Sequence, residues 1–151
     1  MKAFNNIDEI LDFAIGEEQA AVDFYMMLAE RSKSQQSWKV FMEFAAEEMQ
    51  HKTNLLKVKE NGTFQLSDLK VKDLKITEYL VDVRPSPDMS YQDALILAMK
   101  KEKAAFRMYT ELAGQATDPV IRDIFLSLAQ EESKHKLRFE IEYDDYILRE
   151  N

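Results

Sequence analysis

The sequence contains no cysteine among its 151 residues. That absence excludes disulfide bonds, thiolate metal sites and cysteine-ligated iron–sulfur clusters from this chain. Glycine and proline occur only three times each, so turns should be few and the elements between them long. The scarcity of these turn-forming residues predicts an all-α protein.

Long apolar runs and an excess of positive charge are also missing. No stretch approaches the roughly 18 apolar residues of a membrane helix, and residues 1–12 lack the apolar core of a signal peptide. The net charge of −8 argues against binding to nucleic acids or to anionic membrane surfaces. We therefore expect a cytoplasmic protein. Its 151 residues are enough for a single domain, 1–151, with its own hydrophobic core.

The sequence has only two histidines, and each follows a glutamate by three residues: Glu48 precedes His51, and Glu132 precedes His135. Residues three apart share one face of a helix, so each pair offers a carboxylate oxygen and an imidazole nitrogen side by side. Oxygen and nitrogen ligands without sulfur suit iron or manganese. The two Glu-x-x-His pairs are therefore candidate metal-binding elements.

Hydrophobic periodicity predicts four long helices that form two hairpins. Glu18 lies on the inner stripe of the first helix, and Glu102 shares the inner stripe of the third helix with Phe106. The irregular segment 61–89 is long enough to cross the whole bundle between the hairpins, and we expect its apolar residues to pack on the bundle. The predicted helices run from Ile7 to about Arg31, from about Gln36 to Glu60, from Ser90 to Gly114 and from Pro119 to about Arg149, which gives hairpins 7–60 and 90–149.

An internal repeat relates the two hairpins. When the chain is shifted by 84 residues, positions 13–57 align with 97–141 without a gap, and 13 of the 45 aligned positions are identical. The shift superimposes the first Glu-x-x-His pair on the second. A duplicated helical hairpin closes naturally into an antiparallel four-helix bundle with a pseudo-two-fold axis.

The repeat also distinguishes between two adjacent glutamates of the first helix. Glu17 corresponds to Lys101, which cannot ligate a metal, whereas Glu18 corresponds to Glu102. Both Glu18 and Glu102 are followed by a tyrosine seven residues later. We therefore predict Glu18 as a ligand, with Glu17 as the alternative.

Six residues on four helices then face one another. Four glutamates and two histidines in this arrangement are typical of a two-metal carboxylate site in a four-helix bundle. Four carboxylates neutralise two divalent cations, whereas without metal they would repel one another or become protonated. The predicted ligands are Glu18, Glu48, His51, Glu102, Glu132 and His135.

Two further repeated pairs accompany these ligands. The hydroxyls of Tyr25 and Tyr109 could hold glutamate ligands in place, and core packing is an equally good interpretation of these aromatic residues. Glu47 and Glu131 directly precede two of the predicted ligands. We expect them to be solvated or salt-bridged and not to ligate a metal.

In these features the chain resembles the rubrerythrin branch of the ferritin-like superfamily over residues 7–148. The resemblance implies a ferritin-like fold and a cofactor of two iron ions, with manganese or zinc as substitutes. In the family motif the first ligand directly follows a glycine, which would favour Glu17, whereas the repeat favours Glu18. The resemblance depends on Gly16-Glu17-Glu18, Glu48-Met49-Gln50-His51, Glu102, Glu132-Ser133-Lys134-His135 and the two tyrosines.

The sequence departs from the family pattern at two points. Rubrerythrins commonly carry a cysteine-rich rubredoxin domain, so the resemblance implies that this chain takes electrons from a separate rubredoxin-like protein. They also commonly carry a further glutamate one turn after the ligand that corresponds to Glu102, and here that position is Ala105. In the family this extra ligand is linked to iron shifting between redox states. The resemblance also implies a homodimer, in some cases with exchanged helices.

The resemblance implies a di-iron carboxylate oxidoreductase that reacts with hydrogen peroxide or dioxygen and is re-reduced by an external electron donor. One alternative is an iron-binding protein with ferroxidase activity that serves iron handling. Another is a structural bundle in which the metal only stabilises the fold. Catalytic consumption of peroxide separates the first function from stoichiometric iron oxidation, and the structural bundle would do neither.

Overall fold

The computed structural model describes residues 4–62, 64, 70, 71, 74, 81 and 83–150. These residues form four long helices and, within this part of the chain, no β-strand. The prediction of an all-α, ferritin-like four-helix bundle is therefore confirmed. The helices are α1 (Ile7–Arg31), α2 (Gln35–Asn61), α3 (Tyr91–Gln115) and α4 (Pro119–Glu150).

Local sequence signals set the helix ends. Asn6 caps α1, because its side chain accepts a hydrogen bond from the backbone N–H of Glu9 at 2.9 Å. Ser90 caps α3 in the same way and accepts a hydrogen bond from the N–H of Asp93 at 3.0 Å. The α2 helix ends at Asn61 and is capped by Gly62, whose φ of 68° lies in the left-handed region that glycine adopts without strain. These caps explain why the predicted and observed helix ends agree closely.

The helices pair as two hairpins, α1 with α2 and α3 with α4, as the repeat predicts. Two clusters of buried apolar side chains fill the interior of the bundle. One cluster includes Tyr109 and Phe125, and the other includes Tyr25 and Phe139. All four of these aromatic rings are at most 2% exposed, so the two apolar clusters shield polar groups that lie between them from water.

A buried carboxylate links the two hairpins. The Glu142 side chain of α4 accepts hydrogen bonds from the hydroxyl of Ser37 near the start of α2 (2.7 Å) and from the hydroxyl of Tyr91 at the start of α3 (3.1 Å). Glu142 is 2% exposed, and a carboxylate buried to that extent is costly unless it is hydrogen-bonded. The contact therefore holds the beginnings of α2 and α3 against α4.

The buried face of α3 differs from the predicted one. Periodicity places Phe106 inward, but its side chain is 38% exposed, so that prediction is wrong. Leu97 and Met108 are buried instead, and Met108 belongs to the same apolar cluster as Phe64 and Val71. Phe64 and Val71 belong to the α2–α3 connection. The buried face of α3 therefore includes Met108 and excludes Phe106.

The long connection between α2 and α3 separates the hairpins as predicted. Much of the predicted crossover, 61–89, lies outside the described residues, and the way it crosses the bundle stays a prediction, as does a single domain over 1–151. Its described members Phe64 and Val71 are buried, in agreement with a segment that packs on the bundle. Within the described ranges, no helix is long and apolar enough to cross a membrane.

Candidate metal centre

Six acidic and imidazole side chains meet in the interior of the bundle. They come from the inner faces of all four helices, and each is at most 3% exposed. Helical periodicity brings each Glu-x-x-His pair onto one inner face, and the packing of one hairpin against the other then brings the two pairs together. The structure therefore places all six predicted ligands in one cluster. Its members are Glu18 of α1, Glu48 and His51 of α2, Glu102 of α3, and Glu132 and His135 of α4.

The cluster divides into two ligand groups. Each group contains three carboxylates and one imidazole, and within a group the four potential ligand atoms all lie within 4.8 Å of one another. Two cations could therefore occupy neighbouring positions with carboxylates shared between them. Glu18 and His51 belong to the first group, Glu102 and His135 belong to the second, and Glu48 and Glu132 belong to both.

Several buried polar atoms of the cluster have no hydrogen-bond partner among the described residues. Buried polar atoms are normally paired, because an unpaired one has lost its contact with water. Two divalent cations would provide partners for these atoms and would balance the four carboxylates, so the cluster fits a two-metal cofactor. The atoms are Oε2 of Glu18 and Glu102, both carboxylate oxygens of Glu48, Oε1 of Glu132, and Nδ1 of His51 and His135.

Burial perturbs the protonation of the four carboxyl groups. Burial and repulsion from neighbouring carboxylates raise the pKa of Glu18 and Glu48, and they raise the pKa of Glu102 strongly. The same causes raise the pKa of Glu132 to about 7. In the metal-free protein these carboxyl groups therefore retain protons at a pH where surface carboxyl groups are ionised.

Burial lowers the pKa of a histidine, whereas it raises the pKa of a carboxyl group. In this cluster the neighbouring carboxylates outweigh the effect of burial on both histidines. Burial alone lowers the pKa of His135, but the nearby carboxylates of Glu102 and Glu48 outweigh it and raise this pKa to about 11. The pKa of His51 is also raised, because the effect of burial is outweighed by the carboxylates around it, of which Glu132 has the largest influence. The carboxylates around each imidazole therefore favour its charged form over its neutral form.

The structure places the adjacent residues Glu17 and Glu18 differently. Glu18 is 3% exposed and lies in the first ligand group. Glu17 is partly exposed, and its Oε2 atom lies 3.9 Å from the ammonium nitrogen of Lys101 on α3. This placement favours Glu18, as the repeat does, and metal ligation by Glu18 and the other five residues stays a prediction.

The two repeated tyrosines have different contacts. The Tyr109 hydroxyl of α3 donates a hydrogen bond to Glu18 Oε1 of α1 at 2.5 Å, so one hairpin holds a predicted ligand of the other. Burial and the nearby carboxylates raise the pKa of Tyr109 well above its usual value, which keeps the donating proton on the hydroxyl. Tyr25 packs its ring against Phe139 and lies edge-on to His135. The two tyrosines occupy equivalent positions in the repeat, but their contacts in the structure differ.

Replacement of Tyr109 by phenylalanine should destabilise the metal-free protein by about 1–2 kcal/mol, because buried Glu18 Oε1 loses its hydrogen bond. The equivalent substitution Tyr25→Phe is the matched control, since the described contacts of Tyr25 are made by its ring. Urea unfolding of both variants measures the two losses. Equal losses in the two variants would contradict a specific role for the Tyr109 hydroxyl.

The outer nitrogen of each histidine contacts a glutamate of the opposite hairpin. His51 Nε2 pairs with Glu131 of α4, and His135 Nε2 pairs with Glu47 of α2 at 2.5 Å. The expectation that Glu47 and Glu131 are salt-bridged and not ligands agrees with this placement. Sequence inspection did not identify their partners, although the repetition of both residues was a signal that they share a role.

A cavity of about 70 Å³ reaches the cluster from the side where α1 faces α3. Small side chains such as Ala21 and Ala105 form part of its wall, and its lining is predominantly apolar. Partly or fully exposed charged residues line it as well, namely Glu17, Lys101 and Arg84. The sequence did not predict this cavity, because it depends on the space left between two helices and the α2–α3 connection.

The model of the Rubrerythrin family matches residues 9–143, which span both hairpins and the whole cluster. A search of curated proteins and a search of solved structures each gave no match.

Proposed function

The chain belongs to the rubrerythrin family, and from this premise we propose that it is a di-iron carboxylate oxidoreductase. In this proposal it reduces hydrogen peroxide or dioxygen and receives electrons from a separate rubredoxin-like protein. The observation that carries the proposal is the buried cluster with two ligand groups that share Glu48 and Glu132. We also propose, from the sequence, that the protein is cytoplasmic and forms a homodimer.

The donor set divides naturally between two ions. Carboxylates have two oxygens each, so the shared glutamates can contact both ions, and each histidine offers one nitrogen through Nδ1. When bound, the iron pair would supply the electrons that, with two protons, convert hydrogen peroxide to two water molecules. In the proposal Glu18 and His51 hold one ion, Glu102 and His135 hold the other, and Glu48 and Glu132 are shared.

The residues around the cluster would control orientation and access. Tyr109 keeps its proton and holds Glu18 at Oε1, which limits the positions that this carboxylate can take. The cavity of about 70 Å³ has room for roughly two molecules of the size of water, which matches hydrogen peroxide or dioxygen in size and is far too small for a protein donor. Electrons from a protein donor must then reach the cluster through the bundle, while the oxidant approaches through the cavity.

The cavity also bears on the alternative of a purely structural metal. Ions that only stabilise the fold need no path to the surface, and closed sites without an open position are typical of structural metals. Here a cavity lined by Glu18, Glu102 and Glu132 extends to partly exposed residues. This feature favours a reacting centre.

The proposal is tested by turnover. The protein is loaded with Fe(II) under anaerobic conditions, its iron content is measured, and hydrogen peroxide is added with a reduced rubredoxin as the electron donor. We expect about two iron ions per chain and the consumption of many equivalents of peroxide per iron pair. A protein heated past unfolding and reloaded with iron controls for peroxide decomposition by free iron.

Two other results would contradict the proposal. Oxidation of Fe(II) in a single stoichiometric step, with retention of the iron and no further turnover, would identify an iron-binding protein with ferroxidase activity. Metal binding without Fe(II) oxidation and without reaction with peroxide would identify a metal-stabilised structural bundle.

A further inference from the structure

Each histidine of the cluster has a carboxylate of the opposite hairpin near each of its ring nitrogens, and the two carboxylates belong to consecutive glutamates. Among the described residues, only the outer nitrogen, Nε2, makes a hydrogen bond, whereas Nδ1 lies close to its glutamate without one. On the inner side, His135 Nδ1 lies 2.8 Å from Glu48 Oε1, and on the outer side His135 Nε2 lies 2.5 Å from Glu47 Oε2. The first hairpin thus supplies both contacts to a histidine of the second. The two carboxylates reach opposite edges of one ring because consecutive residues on α2 point in different directions.

The reciprocal arrangement holds the other ring. His51 Nδ1 lies 3.1 Å from Glu132 Oε1 inside the cluster, and His51 Nε2 pairs with Glu131 on the outside. The second hairpin therefore holds a histidine of the first in the same manner. The recurrence of this contact in both halves shows that it follows from the repeated Glu-Glu-x-x-His segment and is not an accident of one side chain.

The outer glutamates differ from the inner ones in their surroundings. The side chains of Glu47 and Glu131 are 50% and 40% exposed, whereas the imidazoles that they contact are at most 3% exposed. The outer carboxylates keep part of their contact with water, and their oxygens can accept the proton of Nε2–H. A ring that donates Nε2–H to a fixed acceptor presents Nδ1 to the interior in a defined orientation.

We propose that Glu47 and Glu131 are positioning residues, which fix the imidazoles of His135 and His51 from outside the cluster and couple the docking of the hairpins to assembly of the metal centre. The inference rests on the proposed function, because it assumes that Nδ1 of each histidine binds a metal. Neither outer glutamate touches the metal or the oxidant. Each acts through the ring of a histidine on the other hairpin.

The test compares Glu47→Ala and Glu131→Ala with Glu43→Ala, a control one turn earlier on an exposed position of α2. The first measurement uses the metal-free protein and records the ring nitrogen signals of both histidines by long-range ¹H–¹⁵N NMR. We expect Glu47→Ala to shift the Nε2 signal of His135 with little change at His51. Glu131→Ala should do the reverse, and Glu43→Ala should change neither ring.

The second measurement is the affinity for Co²⁺, used as a spectroscopic probe of the metal centre. Loss of an acceptor that orients a metal-bound histidine typically weakens metal binding by about 10- to 100-fold, and we expect a loss of this size for each alanine variant. Glu47→Gln keeps an acceptor oxygen but loses the charge, so it should recover part of the affinity. Glu43→Ala should bind Co²⁺ as the wild type does.

The outcomes separate this inference from the proposed function. If the wild type binds no metal, the proposed function fails, and the ring signals of the metal-free variants still decide whether the outer glutamates hold the histidines. If the wild type binds two ions and both alanine variants bind them with unchanged affinity, the positioning role is overturned, even if the ring signals move. Ring signals that stay unchanged in both variants overturn it as well.

Discussion

Replacement of both histidines by alanine should abolish stoichiometric metal binding, from about two ions per chain in the wild type to about none. The expectation follows from the geometry of the two ligand groups, each of which contains one imidazole. Without His51 and His135 each group keeps only carboxylates, and the burial that surrounds them favours protonation over metal binding. Metal analysis after removal of free ions measures the effect.

The repeat offers a matched control for this experiment. Lys52 and Lys136 directly follow the two histidines, recur in both halves, and contact Gln19 and Glu140 outside the cluster. A Lys52→Ala, Lys136→Ala variant should keep its metal content. Circular dichroism of both double variants checks that the helices are retained. A helical histidine double variant that still binds two ions would contradict the proposed ligand set.

The second large effect is on stability: the free energy of unfolding of the metal-free protein should fall as pH rises. The pKa of Glu132 is about 7 in the folded protein, against an ordinary value of 4.5, so the folded state binds more protons than the unfolded state between these values. Stability then decreases with rising pH, and the loss is complete above about pH 7. The raised pKa values of both histidines act in the same direction, since their contribution is present below pH 6.5 and is lost as pH rises toward the folded value.

Urea unfolding of the metal-free protein between pH 5 and pH 8 measures this dependence. A shift from 4.5 to about 7 for one group corresponds to about 3 kcal/mol at most. In Glu132→Gln this titration is absent, so the variant should lose less stability over the same interval. A metal-free wild type that becomes more stable toward pH 8 would show that the carboxyl groups of the cluster are ionised in the folded state.

Metal should reverse the pH dependence. The ligands must lose their protons to bind divalent ions, so affinity and the stability gained on binding both rise with pH. With each ion at about a thousand times its dissociation constant, two ions add about 8 kcal/mol, which raises Tm by about 20 °C in a chain of this size. Calorimetry of the protein before and after chelation, at pH 6 and pH 8, measures both effects.

The sequence determined the class of fold and the candidates for the site. Few glycines and prolines, long apolar stripes and an 84-residue repeat lead directly to four helices in two hairpins. The positions and ends of the helices can be predicted from the sequence because periodicity and capping involve residues that are close along the chain. Asn6 and Gly62 are examples of such caps. The same periodicity explains why the two Glu-x-x-His pairs could be expected to meet inside the bundle.

Only the tertiary structure decided which side chains contact across the hairpins. The repeat treats Tyr25 and Tyr109 as equivalent, but within the described part of the chain only the Tyr109 hydroxyl donates to a glutamate of the cluster, because the packing of the two halves is not identical. Phe106 is exposed and Met108 is buried in a cluster that also contains residues of the α2–α3 connection, a packing partner that lies far from α3 along the chain. The contacts of Glu47 with His135 and the cavity beside the cluster likewise depend on how separate helices are arranged, which spacing along one helix does not specify.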